Sequence, residues 1–268
     1  MSTIALLLET SGPACSVAVA RIGGGGAGGG VAFGVLAEAL DETPMRHTAR
    51  VLPLIREAFA KTGGGDDGDG SGGATGNRLA LADVGVVGVS GGPGSYTALR
   101  AGLSSAKGVC LALGVPLIQV STLDALAAAG LVGGEAATMH GEGDGGSNGD
   151  GGSDPFLVAA IHARKNEVYY ARYDGAGRRL TAPATTVVDA AWIARASRDG
   201  RLRVVGPPSV REVFSTYREV HFTERARRAR NLLSACALRL SRAEFSPLDA
   251  AVPEYLKPPH ITSAKARL

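Results

Sequence analysis

Residues 84–127 read VGVVGVSGGPGSYTALRAGLSSAKGVCLALGVPLIQVSTLDALA, and this stretch decides the fold. Its first six residues are apolar or glycine and predict a fully buried strand. The loop 91–97 follows, and its glycine and proline residues are typical of a tight turn. A helix is expected from about 97 to 113, because Gly114 stands where helices often end in a left-handed residue. A strand–turn–helix unit is therefore the first predicted element.

The segments on either side of this unit predict an α/β protein. Before it, strands are expected at 3–8, 15–20 and 31–37, and an apolar face at helical spacing predicts a helix at 44–60. Pro53 lies inside that helix and lacks an amide hydrogen, so either a kink or a helix start near Leu52 is expected. The elements expected after it are a strand at 117–120, a helix at 122–129, strands at 156–162, 167–173 and 185–188, a helix at 189–195, a strand at 202–205, and helices at 208–219 and 223–241.

This order of elements predicts two related lobes. Three antiparallel strands, a helix, a strand and a helix make up a ribonuclease-H-like unit, and strands and helices begin again after residue 117. The predicted fold is thus an actin-like ATPase arrangement, with residues 1–118 and the tail 245–268 in one lobe and residues 119–244 in a smaller one. Three glycine-rich tracts, at 23–30, 63–76 and 141–152, are expected to be flexible surface insertions.

Composition and charge restrict the class of protein. The chain has 268 residues, of which 45% are hydrophobic, which favours a globular protein. The formal net charge of +3 is too small to indicate nucleic-acid binding by itself. No apolar stretch approaches the ~18 residues needed to span a bilayer, and the first residues lack the pattern of a signal peptide. A cytoplasmic protein without a membrane partner is the expectation.

Arginines concentrate in one region of the chain. Between 195 and 242 there are twelve arginines against four acidic residues. A basic face near Arg225, Arg227, Arg228 and Arg230 could bind an RNA backbone, or these side chains could belong to a solvated helix. The sequence leaves both interpretations open.

The three cysteines do not form a recognisable site. Cys15, Cys110 and Cys236 lie far apart in apolar segments, without the spacing of a zinc site or a disulfide framework. They are predicted to be small buried hydrophobic residues.

The loop 91–97 is the best candidate for chemistry. A glycine-rich loop that opens a helix presents backbone amides to a phosphate, so Gly92, Gly94, Ser95 and Thr97 are the candidate cofactor-binding residues. The pattern is not a P-loop, and a tight turn that packs two elements explains the same glycines. Neither Ser90 nor Ser95 lies in a nucleophile elbow, so no catalytic residue is predicted.

Five segments together resemble the TsaB/YeaZ family. They are LLLETSGPACSVAVA at 6–20, RHTARVLPLIREAFAKTG at 46–63, residues 91–127, IHARKNEVYYARY at 161–173 and PEYLKPPHITSAK at 253–265, in family order. Compared with the family pattern, Tyr96 replaces phenylalanine, Ala98 replaces glycine and His162 stands where aspartate is common. The resemblance implies the dimerisation subunit of the complex that forms N6-threonylcarbamoyladenosine in tRNA.

The resemblance also implies what this chain lacks. The related catalytic subunit, TsaD, holds its metal with two histidines four residues apart on the first long helix. Here His47 is followed four residues later by Val51, and one imidazole is a poor metal site. We therefore expect no metal and no cofactor on this subunit alone, with ATP and a divalent metal bound in the complex.

The partners that the resemblance implies are a TsaD-like catalytic subunit, a TsaE-like ATPase, a second copy of the chain when it is alone, and tRNA indirectly. Helix surfaces at 45–60 and 97–113 are the predicted interface, with the residues His47, Val51, Leu54, Arg100, Ser104, Lys107 and Leu111.

Two other functions remain open from sequence. The actin-like fold could carry an ATP- or metal-dependent transferase, or a glycoprotease, that is active on its own. The region 195–242 could instead make the chain a tRNA-binding module.

Overall fold

The computed structural model describes residues 2–23, 32–63, 78–131, 156–197 and 200–257. The predicted glycine-rich insertions lie outside the described residues, apart from Gly23 and Gly63, and so does the end of the tail. The described residues form two five-stranded sheets with helices packed on them.

The first sheet is built around a central strand that is buried from Ile4 to Glu9. Its members are β1 (Ser2–Glu9), β2 (Cys15–Gly23), β3 (Ala32–Asp41), β4 (Val84–Gly92) and β5 (Leu117–Ser121), in the spatial order β3-β2-β1-β4-β5. β1 pairs antiparallel with β2 and parallel with β4. Since both faces of the sheet are covered, the buried strands read as continuous apolar runs rather than as alternating ones.

Helices cover both faces of this sheet. α1 (His47–Lys61) and α2 (Tyr96–Leu113) pack on the face that carries Leu6 and Leu8. The other face carries Ala5 and Leu7 and is covered by α3 (Thr122–Leu131), by a short 3-10 turn at Ala229–Leu232 and by the helix Leu233–Ser241. The alternation along β1 therefore separates two cores.

Helix α1 begins at His47 and continues through Pro53 to Lys61. The alternative that the helix starts near Leu52 is therefore wrong. At the other end of the region, α2 stops at the predicted place, because Gly114 has φ +67° and closes the helix with a left-handed residue.

The second sheet repeats the topology of the first. Its strands are β6 (Leu157–Arg164), β7 (Glu167–Tyr173), β8 (Ala184–Val187), β9 (Leu202–Gly206) and β10 (Val220–Glu224), in the order β10-β9-β6-β7-β8. Three antiparallel strands are again followed by two parallel ones. The helices in the positions of α1 and α2 are α4 (Ala190–Ala196) and α5 (Pro208–Phe214). The predicted α/β class with two related lobes is confirmed.

An aromatic core holds the second lobe together. The rings of Trp192 and Phe214 lie 6.2 Å apart between their centroids, and Tyr170 meets Trp192 edge to face at 5.2 Å. On the opposite face of this sheet, α3 buries Leu123 and Leu126 against Leu157. Helix α3 is thus packed between the two sheets.

The helix predicted at 223–241 is partly wrong. Residues 220–224 form strand β10 on the edge of the second sheet, residues 225–228 are irregular, and α6 (Leu233–Ser241) supplies only the last part. Val220, Phe222 and Thr223 favour a strand, and parallel pairing with β9 decides in its favour. The helix predicted at 208–219 ends at Phe214.

The first lobe extends further than residue 118. Strand β5 continues to Ser121 in the first sheet, and residues 229–241 pack on that sheet although they were expected in the second lobe. The reason is that the backbone returns to the first sheet after β10, where it buries Leu232, Leu233 and Cys236 against β1.

All three cysteines are buried and free, as predicted. Burial raises the pKa of the Cys15 thiol to about 12 and that of Cys110 to about 11. None of the helices in the described part of the chain is both long enough and apolar enough to cross a membrane.

Candidate functional site

The carboxyl ends of three parallel strands meet at one edge of the first sheet. Glu9 ends β1, Ser90 and Gly92 lie at the end of β4, and Ser121 ends β5. In open α/β sheets this is the edge where ligands bind. The Thr10 amide donates to Ser90 Oγ at 3.1 Å, so the first two strand ends are joined directly.

The loop 91–97 is held closely by the chain itself. Gly92 has φ +109°, and the peptide bond to Pro93 is cis. The amide of Ser95 donates to the carbonyl oxygen of Ser11 at 2.9 Å. A side-chain carbon on Gly94 would lie 2.5 Å from that same oxygen, so glycine is required there by the close approach of backbone.

A buried acid and an arginine occupy the centre of this edge. Glu9 is 1% exposed and accepts a hydrogen bond from the Ser11 amide at 2.6 Å. Arg227 donates from Nη1 to the Ser11 carbonyl at 3.0 Å, and a side-chain carbon on Gly12 would lie 2.9 Å from its Cζ. Burial raises the pKa of Glu9 and lowers that of Arg227, while their mutual attraction opposes both shifts.

The C-terminal segment lies across the same loop. The Glu254 amide donates to the Gly91 carbonyl at 2.7 Å, and a side-chain carbon on Gly92 would lie 2.6 Å from the Glu254 carbonyl oxygen. Lys257 forms an ion pair with Glu167 of the second lobe. Ala251 is buried in the core of the first lobe. This segment therefore ties the loop to both lobes.

These contacts bear on the predicted cofactor residues. Gly92 and Gly94 are packed against Glu254 and Ser11, the Ser95 amide is already bonded, and the side chains of Ser95 and Thr97 are exposed. In this arrangement the Arg227 guanidinium fills the space beside Gly12, and the Glu254 peptide group fills the space beside Gly92. The glycines of the loop serve close packing between segments of the chain.

The residues considered for a metal do not form a cluster. His47 is buried, with its Nε2 3.2 Å from the Ala14 carbonyl oxygen, and Val51 belongs to the core. Among the described residues no three of His, Cys, Asp and Glu lie close enough to hold an ion.

The predicted interface residues fall into two groups. His47, Val51 and Leu54 are buried beneath α1 and do not present a surface. The reason is their spacing, which follows the core-facing side of the helix. Arg100, Ser104 and Leu111 are exposed and Lys107 is half-exposed, all on one side of α2.

We define the outer face as the exposed sides of α1 and α2, which pack against each other on the same side of the first sheet. On α1 it contains Leu52, which is 58% exposed, and on α2 it contains Leu111, which is 72% exposed. Its other members are Ala49, Arg56, Ala60, Arg100, Ser104, Lys107 and Gly108. It combines exposed leucines, small side chains and cations.

Gly108 is the least expected member of the outer face. Glycine inside a helix costs about 1 kcal/mol relative to alanine. A side-chain carbon at Gly108 would meet nothing within 4 Å among the described residues, so packing against them does not require the glycine. Gly102 lies on the buried side of the same helix, and a side-chain carbon there would lie 2.2 Å from Thr10 Oγ1.

Arg100 is held in place by two tyrosines. Its Cζ lies 4.2 Å from the centroid of the Tyr96 ring, and its Nε donates to Tyr255 Oη at 3.0 Å. The two rings stack at 4.5 Å. The two rings therefore orient the guanidinium, and its terminal N–H groups have no acceptor among the described residues.

The arginine-rich region is mostly engaged within the molecule. Arg225 donates to the Ala129 carbonyl, Arg228 pairs with Glu42, and Arg230 pairs with Glu38. These contacts join residues that follow β10 to the first lobe. They give these three arginines a structural role within the molecule.

Sequence reasoning placed Arg227 on a basic face that could bind RNA, and it singled out neither Glu254 nor Gly108. Arg227 and Glu254 act through contacts with residues more than a hundred positions away, which no local pattern reveals. Gly108 is distinguished by the open space beside it, which only the structure reveals.

Comparison with known proteins gives consistent results. Residues 41–261 match the family model described as TsaD, tRNA N6-adenosine threonylcarbamoyltransferase. The tRNA threonylcarbamoyladenosine biosynthesis protein TsaB of Escherichia coli strain K12 is 29% identical over 168 residues, which is 63% of this chain and 54% of that protein. The TsaB protein of Haemophilus influenzae is 31% identical over 62% of this chain and 52% of its own length. The chain spans about half the length of these curated relatives.

A solved structure shows the same fold. YeaZ from Pseudomonas aeruginosa superposes with a TM-score of 0.64 at 22% identity, covering 95% of this chain and 100% of the other.

Proposed function

This chain belongs to the TsaD family, and within it to the TsaB/YeaZ proteins, and on that basis we propose that it is the partner subunit of a TsaD-like enzyme that forms N6-threonylcarbamoyladenosine in tRNA. The family assignment confirms the resemblance in the sequence. The role within the complex is our proposal, and so is a cytoplasmic location.

The observation that carries the proposal is the outer face. Two leucines more than half exposed, with a glycine that no contact with a described residue explains, describe a helix pair built to receive another helix at close range. Small side chains let two helix backbones approach. We assign the TsaD-like subunit to this face, and a second copy of the chain when that subunit is absent.

The predicted interface is thereby revised. Arg100, Ser104, Lys107 and Leu111 remain in it, while Leu52, Arg56 and Gly108 take the place of the three buried residues. The TsaE-like ATPase and tRNA are proposed to join through the complex, and ATP and the divalent metal are assigned to the complex rather than to this chain alone.

The packing of the strand-end edge supports a partner role over an independent enzyme. Arg227 and Glu254 fill the places beside Gly12 and Gly92. A transferase or glycoprotease acting alone would need nucleotide or metal at this edge. Micromolar binding of ATP with magnesium to the isolated chain, measured by calorimetry, would support that alternative instead.

The test is reconstitution of the tRNA modification. Purified TsaD- and TsaE-like proteins, tRNA, ATP and threonylcarbamoyl-AMP as the activated donor are assayed with and without this chain, and we expect the modified nucleoside only when the chain is present. Leu111→Asp places a charge on the outer face and should weaken the complex at least about thirtyfold, as at an interface hot spot.

The matched control is Leu180→Asp. Leu180 lies in the second lobe and is 56% exposed, close to the exposure of the outer-face leucines. This variant should modify tRNA like the wild type. Equal loss of activity in both variants, or full activity of Leu111→Asp, would show that the outer face is not the interface.

A further inference from the structure

Unpaired positive charge surrounds the leucines of the outer face. Arg56 on α1 and Arg100 and Lys107 on α2 form no ion pair with any described residue. Helix α2 contains no acidic residue. The acid of α1, Glu57, accepts a hydrogen bond from Arg50 Nη2 at 2.9 Å. Glu57 is the one acid on the two helices and it is paired, so the charges of the outer face that have no ion-pair partner among the described residues are all positive.

We propose that the outer face selects a different protein with acidic side chains around an apolar helix surface, in preference to a second copy of this chain. The inference rests on the proposed function and names the chemistry of the partner. In a twofold dimer each surface meets its own copy, so Arg56, Arg100 and Lys107 would face the same three cations. A partner that carries carboxylates opposite them gains attraction where the homodimer has repulsion.

Arg100 is the anchor of this selection. Stacking on Tyr96 and the bond from Nε to Tyr255 fix its position before a partner arrives. Its free terminal nitrogens match the two oxygens of a carboxylate. An arginine already ordered loses less side-chain entropy on binding than a mobile one. The C-terminal segment thus contributes to recognition through Tyr255.

A protein suits this face better than RNA does. Leu52 and Leu111 lie among the cations and are 58% and 72% exposed. An apolar centre with a charged rim is the pattern of a protein interface, whereas binding of a phosphate backbone depends on cations alone. The three unpaired cations are few for an RNA surface.

Salt distinguishes the two kinds of complex without any substitution. Screening weakens attraction and repulsion alike. From about 0.05 to about 0.5 M NaCl, the affinity for the TsaD-like subunit should fall about tenfold, while self-association measured by ultracentrifugation should strengthen. A heterocomplex indifferent to salt, or a homodimer favoured by low salt, overturns the inference.

A charge exchange makes the same test with variants. The chain carrying Arg56→Glu, Arg100→Glu and Lys107→Glu should bind the TsaD-like subunit with an affinity about tenfold lower, or lower still, at low salt. Mixed with the wild-type chain, it should form a mixed dimer that is tighter than either homodimer, because opposite faces then meet. Absence of the mixed dimer, with both chains folded by circular dichroism, contradicts the inference.

The control carries the same change of charge elsewhere. Arg195→Glu, Arg201→Glu and Arg218→Glu alter exposed arginines of the second lobe, and this chain should bind the partner like the wild type. If Leu111→Asp abolishes the complex while salt and charge exchange have no effect, the proposed function stands and this inference fails. Salt-dependent tRNA binding by the isolated chain that the three glutamates remove would instead identify the face as an RNA surface.

Discussion

The two lobes share one topology but differ in the helices that cover it. In the first lobe α1 and α2 have 15 and 18 residues, and in the second lobe α4 and α5 have 7 each. The short pair suffices to bury Trp192 and Phe214. None of the large exposed hydrophobic residues lies on α4 or α5, whereas Leu52 and Leu111 lie on the long pair.

The difference separates what the scaffold needs from what the surface adds. Two turns of helix cover this face of the second sheet. The longer α1 and α2 bury residues along nearly their whole length and present the outer face on their other side. We therefore expect substitutions in the second lobe to act on stability and substitutions on the outer face to act on binding.

The largest effect is expected from Phe214→Ala. Phe214 is 1% exposed and packs between Trp192 and Phe222, so its truncation should lower the free energy of unfolding by about 3–5 kcal/mol. Urea titration followed by circular dichroism measures the loss. In contrast, Leu111→Ala should change it by less than about 0.5 kcal/mol. Similar losses of stability in both variants would contradict the expected difference between the core of the second lobe and the outer face.

The junction between the lobes gives the next effect. Arg227→Met removes the guanidinium from the Ser11 carbonyl and leaves Glu9 buried without its cation, and stability should fall by about 3 kcal/mol. Arg228→Met breaks a pair with Glu42, which is 72% exposed, and should cost only about 0.5 kcal/mol. Equal thermal stabilities for the two variants would refute a structural role for Arg227.

Substitutions at two glycines of α2 compare the buried side of this helix with its exposed side. Gly102→Ala would force a methyl group against Thr10 and should destabilise the chain by about 1–3 kcal/mol. Gly108→Ala meets open space and should stabilise the isolated chain by about 0.5–1 kcal/mol while weakening the complex. Chemical denaturation and partner titration give both quantities. A Gly108→Ala chain that binds its partner more tightly would argue against close helix packing.

The smallest effect is expected from Tyr255→Phe. The change keeps the stacked ring and removes only the hydroxyl that accepts from Arg100. Stability should fall by about 0.5 kcal/mol or less, and partner affinity by about two- to threefold. Surface plasmon resonance at low salt can resolve the difference. An unchanged affinity would show that Tyr255 does not orient Arg100 for binding.

Most of the scaffold could be predicted from local pattern. Apolar runs located the central strands, and Gly114 located the end of α2, because these signals depend on neighbouring residues alone. The helix predicted at 223–241 is partly wrong because contacts with distant residues decide the conformation there. Arginine, alanine and leucine there favour helix, but pairing with β9 and the contacts of Arg225 and Arg227 hold the first part in other conformations.

The candidate site was predicted less well than the fold. Helical spacing revealed an apolar face on α1 but not which residues of the pattern turn inward, so Val51 and Leu54 were placed on the surface. The cover over the strand-end edge depends on Arg227 and Glu254, which meet Gly12 and Gly92 only after the chain has folded back. Contacts of that kind leave no periodic signal in a sequence.

The return of residues 229–257 to the first sheet sets an order for synthesis on the ribosome. The second lobe, from Phe156 to Glu224, is continuous in the chain and can close as soon as it emerges. The first lobe has to wait for Cys236 and Ala251, which fill its two cores from near the end of the chain. Nascent chains should therefore complete the later-encoded lobe first, and until then β1 and β4 lack part of their cover and are exposed to chaperones and to aggregation.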